Sequence, residues 1–343
     1  MENIAPALLN WFYANRRILP FREDPTPYHV WLSEIMLQQT RVSAALPYYE
    51  RFLAALPDIP ALAGCEEEKL HKLWEGLGYY SRVRNLQKAA KIVCAQYGGQ
   101  LPADYNALLA LPGIGEYTAG AIASISFGLP VPAVDGNVLR VFARLYNDPR
   151  LVTDPQVKRE FTARVMEHQP PAKAGDYNQA LMELGALVCL PNGAPLCEQC
   201  PLGTLCRARA AGTALSLPQK TPPKARRITP VTVALVLNEG RVLLQQRPAK
   251  GLLAGLWQPL LWEGEALSAG SADIGFISGG NYVLFSDDCD VLLTALRYAI
   301  NKDSENPADW NDGTIEENTK DMSTYYRCII CLLYTSPSPR DCS

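Results

Sequence analysis

The chain has 343 residues, of which 48% are hydrophobic and 20% charged, with a net charge of −3. No apolar run approaches the ~18 residues of a membrane span and the N-terminus lacks the basic-then-apolar order of a secretory signal, so a monomeric cytoplasmic protein with no membrane partner is expected. The small net charge hides a skew: residues 1–230 hold 24 Lys+Arg against 20 Asp+Glu, and residues 231–343 hold 8 against 15.

The opening stretch "MENIAPALLNWFYANRRILP" reads as an amphipathic helix with Ala7, Leu8, Trp11 and Phe12 on one face. Apolar residues then recur at three and four through "YHVWLSEIMLQQTRVSAALPYYERFLAAL" and "VRNLQKAAKIVCAQY". Prolines and glycines punctuate the segments, so short helices are expected from residue 1 to about 210. Within the first of these runs, Glu34 lies among Trp31, Leu32, Ile35, Met36 and Leu37. A carboxyl in apolar company has a raised pKa and can donate a proton near neutrality. The same glutamate also fits an ordinary helix rim.

"ALLALPGIGEYTAGAIASI" joins two helical segments through Pro112-Gly113-Ile114-Gly115. Gly113 and Gly115 permit positive φ and close backbone approach. The next helix is expected to start near Glu116, and its free N–H groups form a phosphate site. That is a helix-hairpin-helix signature, which binds nucleic-acid backbone without reading sequence.

In "VPAVDGNVLRVFARL", Asp135 sits where an extended run meets a helix, which alone suits an N-cap. One carboxyl that keeps its proton and one that stays ionised is the pairing that cleaves glycosidic bonds. Beside a phosphate-binding hairpin, the matching substrate is a nucleotide whose base has left the stack.

Cys189, Cys197, Cys200 and Cys206 follow in "LVCLPNGAPLCEQCPLGTLC", with gaps of seven, two and five residues. Four thiolates suit a tetrahedral zinc or an iron–sulfur cluster. A single C-x-x-C knuckle with uneven gaps favours the cluster, acting as a clip that closes the fold. "ALSLPQKTPPKARRITP" then reads as a linker, and "VTVALVLNEGRVLLQQRP" as a β-hairpin around Asn238, Glu239 and Gly240. "DVLLTALRYAINKDSENPADWNDGTIEENTKD" suggests one helix and an acidic loop, and "CLLYTSPSPRDCS" reads as a non-native tail. The expected organisation is a helical domain over 1–212, a linker over 213–229, a partial domain over 230–330 without clear pattern after 265, and a tail over 331–343.

"WLSEIMLQQTRV", "GLGYYSRVRNL", "LPGIGEYTAGAI", "VDGNVLRV" and "ELGALVC", in this order, resemble the helix-hairpin-helix DNA glycosylase superfamily and, within it, the adenine DNA glycosylase family. "VALVLNEGRVLLQQRPAKGLLAGLWQPL" resembles the start of that family's Nudix-like C-terminal domain. The resemblance implies a mainly α fold of two helical subdomains, with the hairpin and a cluster loop, followed by a partial α+β Nudix-like domain. It implies base-excision repair: monofunctional removal of adenine mispaired with 8-oxoguanine or guanine in double-stranded DNA, at the bacterial nucleoid. Glu34 would protonate the adenine and later position water, Asp135 would stabilise the sugar cation, and Asn137 would hold the water network. Tyr117 stands where the bifunctional relative endonuclease III has a lysine, which implies no efficient strand cleavage.

Gln38 and Thr40 match residues that probe the stack, Tyr79 an aromatic wedge beside the opposing guanine, and Arg22 a residue near the adenine pocket. Gly113 and Gly115 would hold the DNA backbone. Cys189, Cys197, Cys200 and Cys206 would ligate a four-iron four-sulfur (4Fe-4S) cluster, though the first gap is one residue longer than the family's. The chain lacks the Phe-Ser-His motif of the family's 8-oxoguanine-reading loop and has no histidine after His168. The Nudix hydrolase helix is also absent, so triphosphate hydrolysis is not expected. The alternatives are an endonuclease III-like glycosylase for a mismatched or oxidised pyrimidine, and a non-catalytic cluster-bearing DNA-binding module.

Overall fold

The computed structural model describes residues 2–222 and, further on, residues 231–235, 237–238, 241–248, 251, 257–263, 282–283 and 294–298. The chain divides between Pro222 and Pro223 into two compact units. No helix among the described residues is long and apolar enough to cross a membrane.

The first unit is helical throughout, and its helix starts follow the capping rules. Thr26 caps the Pro27–Leu37 helix by accepting from the His29 N–H at 3.3 Å, and Pro27 occupies the first turn, where its missing N–H costs nothing. Asp104, Asp135 and Asp154 cap the Tyr105–Leu109, Gly136–Tyr146 and Pro155–His168 helices in the same way. The N-terminal helix runs Ala5–Asn15, but its buried face is Ala5, Leu8, Leu9 and Phe12. The expected face shifts because Ala7 is exposed while Leu9 meets the core.

Two apolar cores result. One gathers residues between Tyr28 and Ala123, centred on the fully buried Trp31, Phe52 and Trp74. The other joins the N-terminal helix to residues from Val134 to Leu202, including Phe12, Phe142, Phe161 and Tyr177. The Glu116–Phe127 helix packs against both the Pro27–Leu37 and the Ala174–Leu187 helices. Every residue from Thr118 to Ser124 in it is buried. Small residues make this possible. A Cβ on Gly120 would overlap the Pro132 carbonyl oxygen, and one on Gly175 would lie 2.6 Å from the Ser124 oxygen.

The stretch read as the start of a linker is bonded to the helical unit as far as residue 221. Val152 N–H donates to the Gln219 carbonyl at 3.0 Å, Arg144 Nε to the Leu217 carbonyl at 2.9 Å, and the Thr153 and Thr221 hydroxyls meet at 2.7 Å.

In the second unit, Val231–Leu235 is the middle strand of a three-stranded antiparallel sheet between Leu260–Glu263 and Thr294–Tyr298. The hairpin expected near Asn238 is formed, with Asn238 opposite Arg241. The helix expected from "DVLLTALRYAIN" is not: Thr294–Tyr298 is a strand, with Val233 opposite Leu296. Pairing with a neighbour overrides local periodicity in so short a run. The expected acidic loop and tail lie outside the described residues.

Candidate active site

A cavity of about 1190 Å³ opens in the first unit and collects Glu34, Tyr117, Asp135 and Asn137. Each arrives from a different local cause. Glu34 lies on the Pro27–Leu37 helix, whose other faces bury Trp31, Leu32, Ile35 and Met36, so the one carboxyl in the run is left facing the cavity. Tyr117 is the second residue of the Glu116–Phe127 helix. Asp135 is the N-cap of the Gly136–Tyr146 helix, accepting from the Val138 N–H at 2.8 Å. It is a cap and a cavity residue at once.

Burial pushes the Glu34 carboxyl up to about 7, and the Asp135 charge adds to this, while a hydrogen bond with Tyr117 and the charge of Arg22 oppose it. Burial also raises Asp135, against hydrogen bonds from Val138 and Asn137 and the charge of Arg140, which all favour its ionised form. Burial and the two neighbouring carboxylates lift Tyr117 well above the usual phenol range, so it keeps its proton. The cavity thus offers an acid poised near neutrality opposite a carboxylate held by donors.

Asn137 Nδ2 donates to Asp135 Oδ2 at 2.7 Å, and its Oδ1 accepts from Arg140 Nη2 at 2.8 Å. Arg140 Nε in turn donates to the Cys189 carbonyl at 2.8 Å. A Cβ on Gly185 would lie 2.6 Å from that of Asn137, so the missing side chain there gives Asn137 its room. An unbroken chain of contacts links Asp135 to the cysteine loop.

Arg22 lines the cavity but is committed internally: Nη2 donates to Glu183 Oε2 at 2.8 Å and Nη1 to the Arg17 carbonyl at 3.2 Å. Glu183, 1% exposed, also takes a bidentate pair from Arg17 at 2.8 and 2.7 Å. Burial alone would raise this carboxyl, but the donors from Arg17 and Arg22 outweigh it and bring it down to about 2. Glu183 and Arg140 were not singled out from sequence. Glu183 carries the same signal as Glu34, a lone carboxyl in an apolar helical run. Arg140 and Arg144, four apart on a helix and both buried, are a second such signal.

Gln38 and Thr40 also line the large cavity. Gln38 further shares a smaller one, about 200 Å³, with Gly113 and Arg82. Gly113 has φ of +80°, whereas Gly115 is extended at −94° and serves as the N-cap of the following helix. Only the first glycine therefore needs its conformational freedom. Tyr79 lies outside the large cavity's wall; it is 46% exposed, with φ of +46°. Arg82 fixes both neighbourhoods, donating to the Ile35, Met36 and Gln38 carbonyls at 3.0, 3.1 and 2.7 Å and to that of Leu77 at 2.8 Å.

Cys189, Cys197, Cys200 and Cys206 border one small cavity of about 30 Å³ whose other walls include Val141, Leu184 and Leu202. All four are free thiols. Arg144 Nη1 donates to Cys189 Sγ at 3.2 Å. Burial raises Cys206 and lifts Cys200 to about 11. Among the described residues, no three His, Cys, Asp or Glu side chains converge closely enough to hold a single metal ion.

Residues 32–167 match the HhH-GPD superfamily of base excision DNA repair proteins. An adenine DNA glycosylase of Homo sapiens is 38% identical over 313 residues, covering 75% of this chain and 57% of that protein. One from Buchnera aphidicola subsp. Schizaphis graminum is 38% identical over 218 residues, covering 63% of this chain and 62% of that one. The chain thus spans about three-fifths of the length of these curated relatives. Among solved structures, a thermostable thymine-DNA glycosylase aligns with TM-score 0.55 and 26% identity over 60% of this chain and 95% of its own. A non-covalent endonuclease III–DNA complex aligns with TM-score 0.52 and 25% identity over 61% of this chain and 94% of the other.

Proposed function

From the match of residues 32–167 to the HhH-GPD superfamily of base excision DNA repair proteins, we propose that this chain is a monofunctional DNA N-glycosylase releasing mispaired adenine. The observation that carries the reading is the meeting of Glu34, raised to about 7, with Asp135 and Tyr117 in one cavity large enough for a base.

In the proposed reaction the adenine turns out of the duplex stack into the cavity. Protonated Glu34 donates to a ring nitrogen. The bond between the sugar C1′ and the base nitrogen breaks, and its electron pair leaves with the adenine. Asp135, ionised and held by Asn137 and Val138, faces the sugar cation and lowers its energy. Glu34, now a carboxylate, accepts a proton from the water that attacks C1′, and is thereby reset. Tyr117 has no amine with which to form a Schiff base, so strand cleavage through that position is not available. DNA would be held by the Gly113–Gly115 hairpin, with Gln38, Thr40 and Tyr79 against the stack and the opposing base. Arg22 would act on the pocket through Glu183.

The cysteine loop fits a 4Fe-4S cluster. Cys200 and Cys206, raised by burial, would release their protons on ligation, and Arg144 supplies a cation to Cys189. Four sulfurs round one cavity supply the all-thiolate donor set that such a cluster takes. Such a cluster, when bound, supplies covalent cross-links that fix the loop.

The test is base release from duplexes holding adenine opposite 8-oxoguanine, guanine or thymine, with wild type and Glu34→Gln. Adenine release from the first two by wild type, and at least a thousandfold loss in the variant with DNA binding kept, is expected. Release of a pyrimidine instead would establish the endonuclease III-like alternative.

A further inference from the structure

Five cationic side chains line the large cavity: Arg17, Arg22, Arg41, Arg140 and Lys220. Three of them are committed within the protein. Arg17 and Arg22 both pair with Glu183. Arg140 donates to Asn137 and to the carbonyls of Cys189 and Gly185. The side chains of Arg41 and Lys220 have no hydrogen-bond or ion-pair partner among the described residues, and both residues are exposed.

Lys220 lies in a stretch whose composition reads as linker, yet its place is set by its neighbours. The Gln219 carbonyl accepts from the Val152 N–H at 3.0 Å, and the Thr221 hydroxyl meets that of Thr153 at 2.7 Å. The residues on either side of the lysine are thus tied to one short stretch of the helical unit. Arg144 adds a second anchor, with Nε donating to the Leu217 carbonyl and Nη1 to the Leu190 carbonyl, both at 2.9 Å. Leu190 follows Cys189, which is bonded to Arg140, and Arg140 is bonded to Asn137. This series of bonds joins the lysine segment to the Asp135–Asn137 end of the cavity. Arg41 is attached elsewhere, directly after Thr40 and before the Val42–Ala55 helix.

The proposed reaction calls for a cation at that end. The sugar that faces Asp135 carries a phosphodiester on each side, so three negative charges fall within the span of one nucleotide. Arg140 could meet a phosphate only by releasing Asn137 and two carbonyls. Lys220 would give up nothing but water. Resting on the glycosylase reading of this cavity, we propose that Lys220 is a phosphate-binding residue, holding one of the two phosphodiesters that flank the extruded nucleotide. The contact fixes the backbone and reads no base. The hairpin glycines Gly113 and Gly115 do not line this cavity, so it is separate from theirs.

The test measures binding of the full chain to a duplex with a tetrahydrofuran abasic analogue at the target nucleotide. This duplex has no base to release there, and it keeps both flanking phosphates. Lys220→Gln should weaken binding about 10-fold and lower the slope of log Kd against log salt by about one. Lys220→Arg keeps the charge and should bind within about twofold of wild type. Each flanking phosphate is then replaced in turn by a neutral methylphosphonate. At one of the two positions, Lys220→Gln should cause no further loss. A general defect of folding would instead give the same loss on every duplex. The proposal is overturned by unchanged affinity and salt slope in Lys220→Gln, by Lys220→Arg binding as weakly as Lys220→Gln, or by a loss that persists whichever phosphate is neutral. The assay needs no turnover. A chain that binds this duplex but releases no adenine would refute the proposed function, while these titrations still decide the role of Lys220.

Discussion

Asn137 donates to Asp135 Oδ2 over 2.7 Å from within the helix that Asp135 itself caps. The aspartate is therefore fixed by its own helix, and Arg140 fixes Asn137 from the next turn. Replacing Asn137 with Ala removes a donor that favours the ionised carboxylate. The acid limb of the kcat profile should move to higher pH and kcat at pH 7 should fall about 10-fold. A profile superimposable on wild type would show that Asn137 does not act through Asp135.

The pH dependence of adenine release should be bell-shaped. Glu34 must be protonated and its pKa is pushed up to about 7, so kcat falls as pH rises through that value. Asp135 must be ionised and its pKa lies above the usual 3.8, so kcat also falls in acid, at a higher pH than for an ordinary aspartate. Single-turnover release between pH 5 and 9 checks both limbs. A rate that keeps climbing above pH 8 is incompatible with Glu34 as the acid.

Glu183 is a stability residue with its own pH signature. Its pKa is depressed to about 2 from an ordinary 4.5, so the folded state favours the ionised form. That stabilisation is fully present above pH 4.5 and is lost as pH falls from there through about 2. The shift is equivalent to about 3 kcal/mol. Glu183→Gln should cost about 2–4 kcal/mol at pH 7, because Arg22 keeps a half-buried charge without its partner. Urea melts of the two proteins at pH 7 and pH 3.5 measure it, and their difference should shrink at the lower pH.

The glycine contacts of the Glu116–Phe127 helix are main-chain contacts and cannot be relieved by a rotamer change. Gly120→Ala should destabilise by about 3 kcal/mol or more and reduce adenine release with it, since Tyr117 rides on the same helix. Gly128→Ala, where a Cβ would meet nothing within 4 Å but φ is +67°, should cost only the ~1 kcal/mol of backbone strain. Equal melting temperatures for the two variants would contradict this ordering.

Cluster loading is checked by iron and sulfide content and by visible absorbance of purified protein. Cys197→Ser should lower all three and reduce the melting temperature. Arg144→Met should weaken the loop even with all four cysteines present, because it removes donors to Cys189 Sγ, Leu190 O and Leu217 O together.

Much of the helical unit was legible because caps, prolines and apolar spacing are local signals. Glu34 could be singled out since a carboxyl in an apolar run is conspicuous wherever it ends up. Asp135 could be read as a cap, but that it also faces Glu34 depends on the packing of two helices a hundred residues apart. Arg140 and Glu183 were missed for the same reason: each matters through a partner distant in sequence. The Thr294–Tyr298 strand was misread as helix because its state is set by pairing with Val231–Leu235, not by its own periodicity.

The close seating of the Glu116–Phe127 helix on Pro132 and on the Gly175 turn has a consequence for how such a chain can diverge. At Gly120 and Gly175 the spacing is gauged by backbone thickness, with no side chain between. Large apolar side chains elsewhere in either core can be exchanged without altering that gauge. Side chains lining the cavity can therefore change while the main-chain seating of the helix that carries Tyr117 stays as it is.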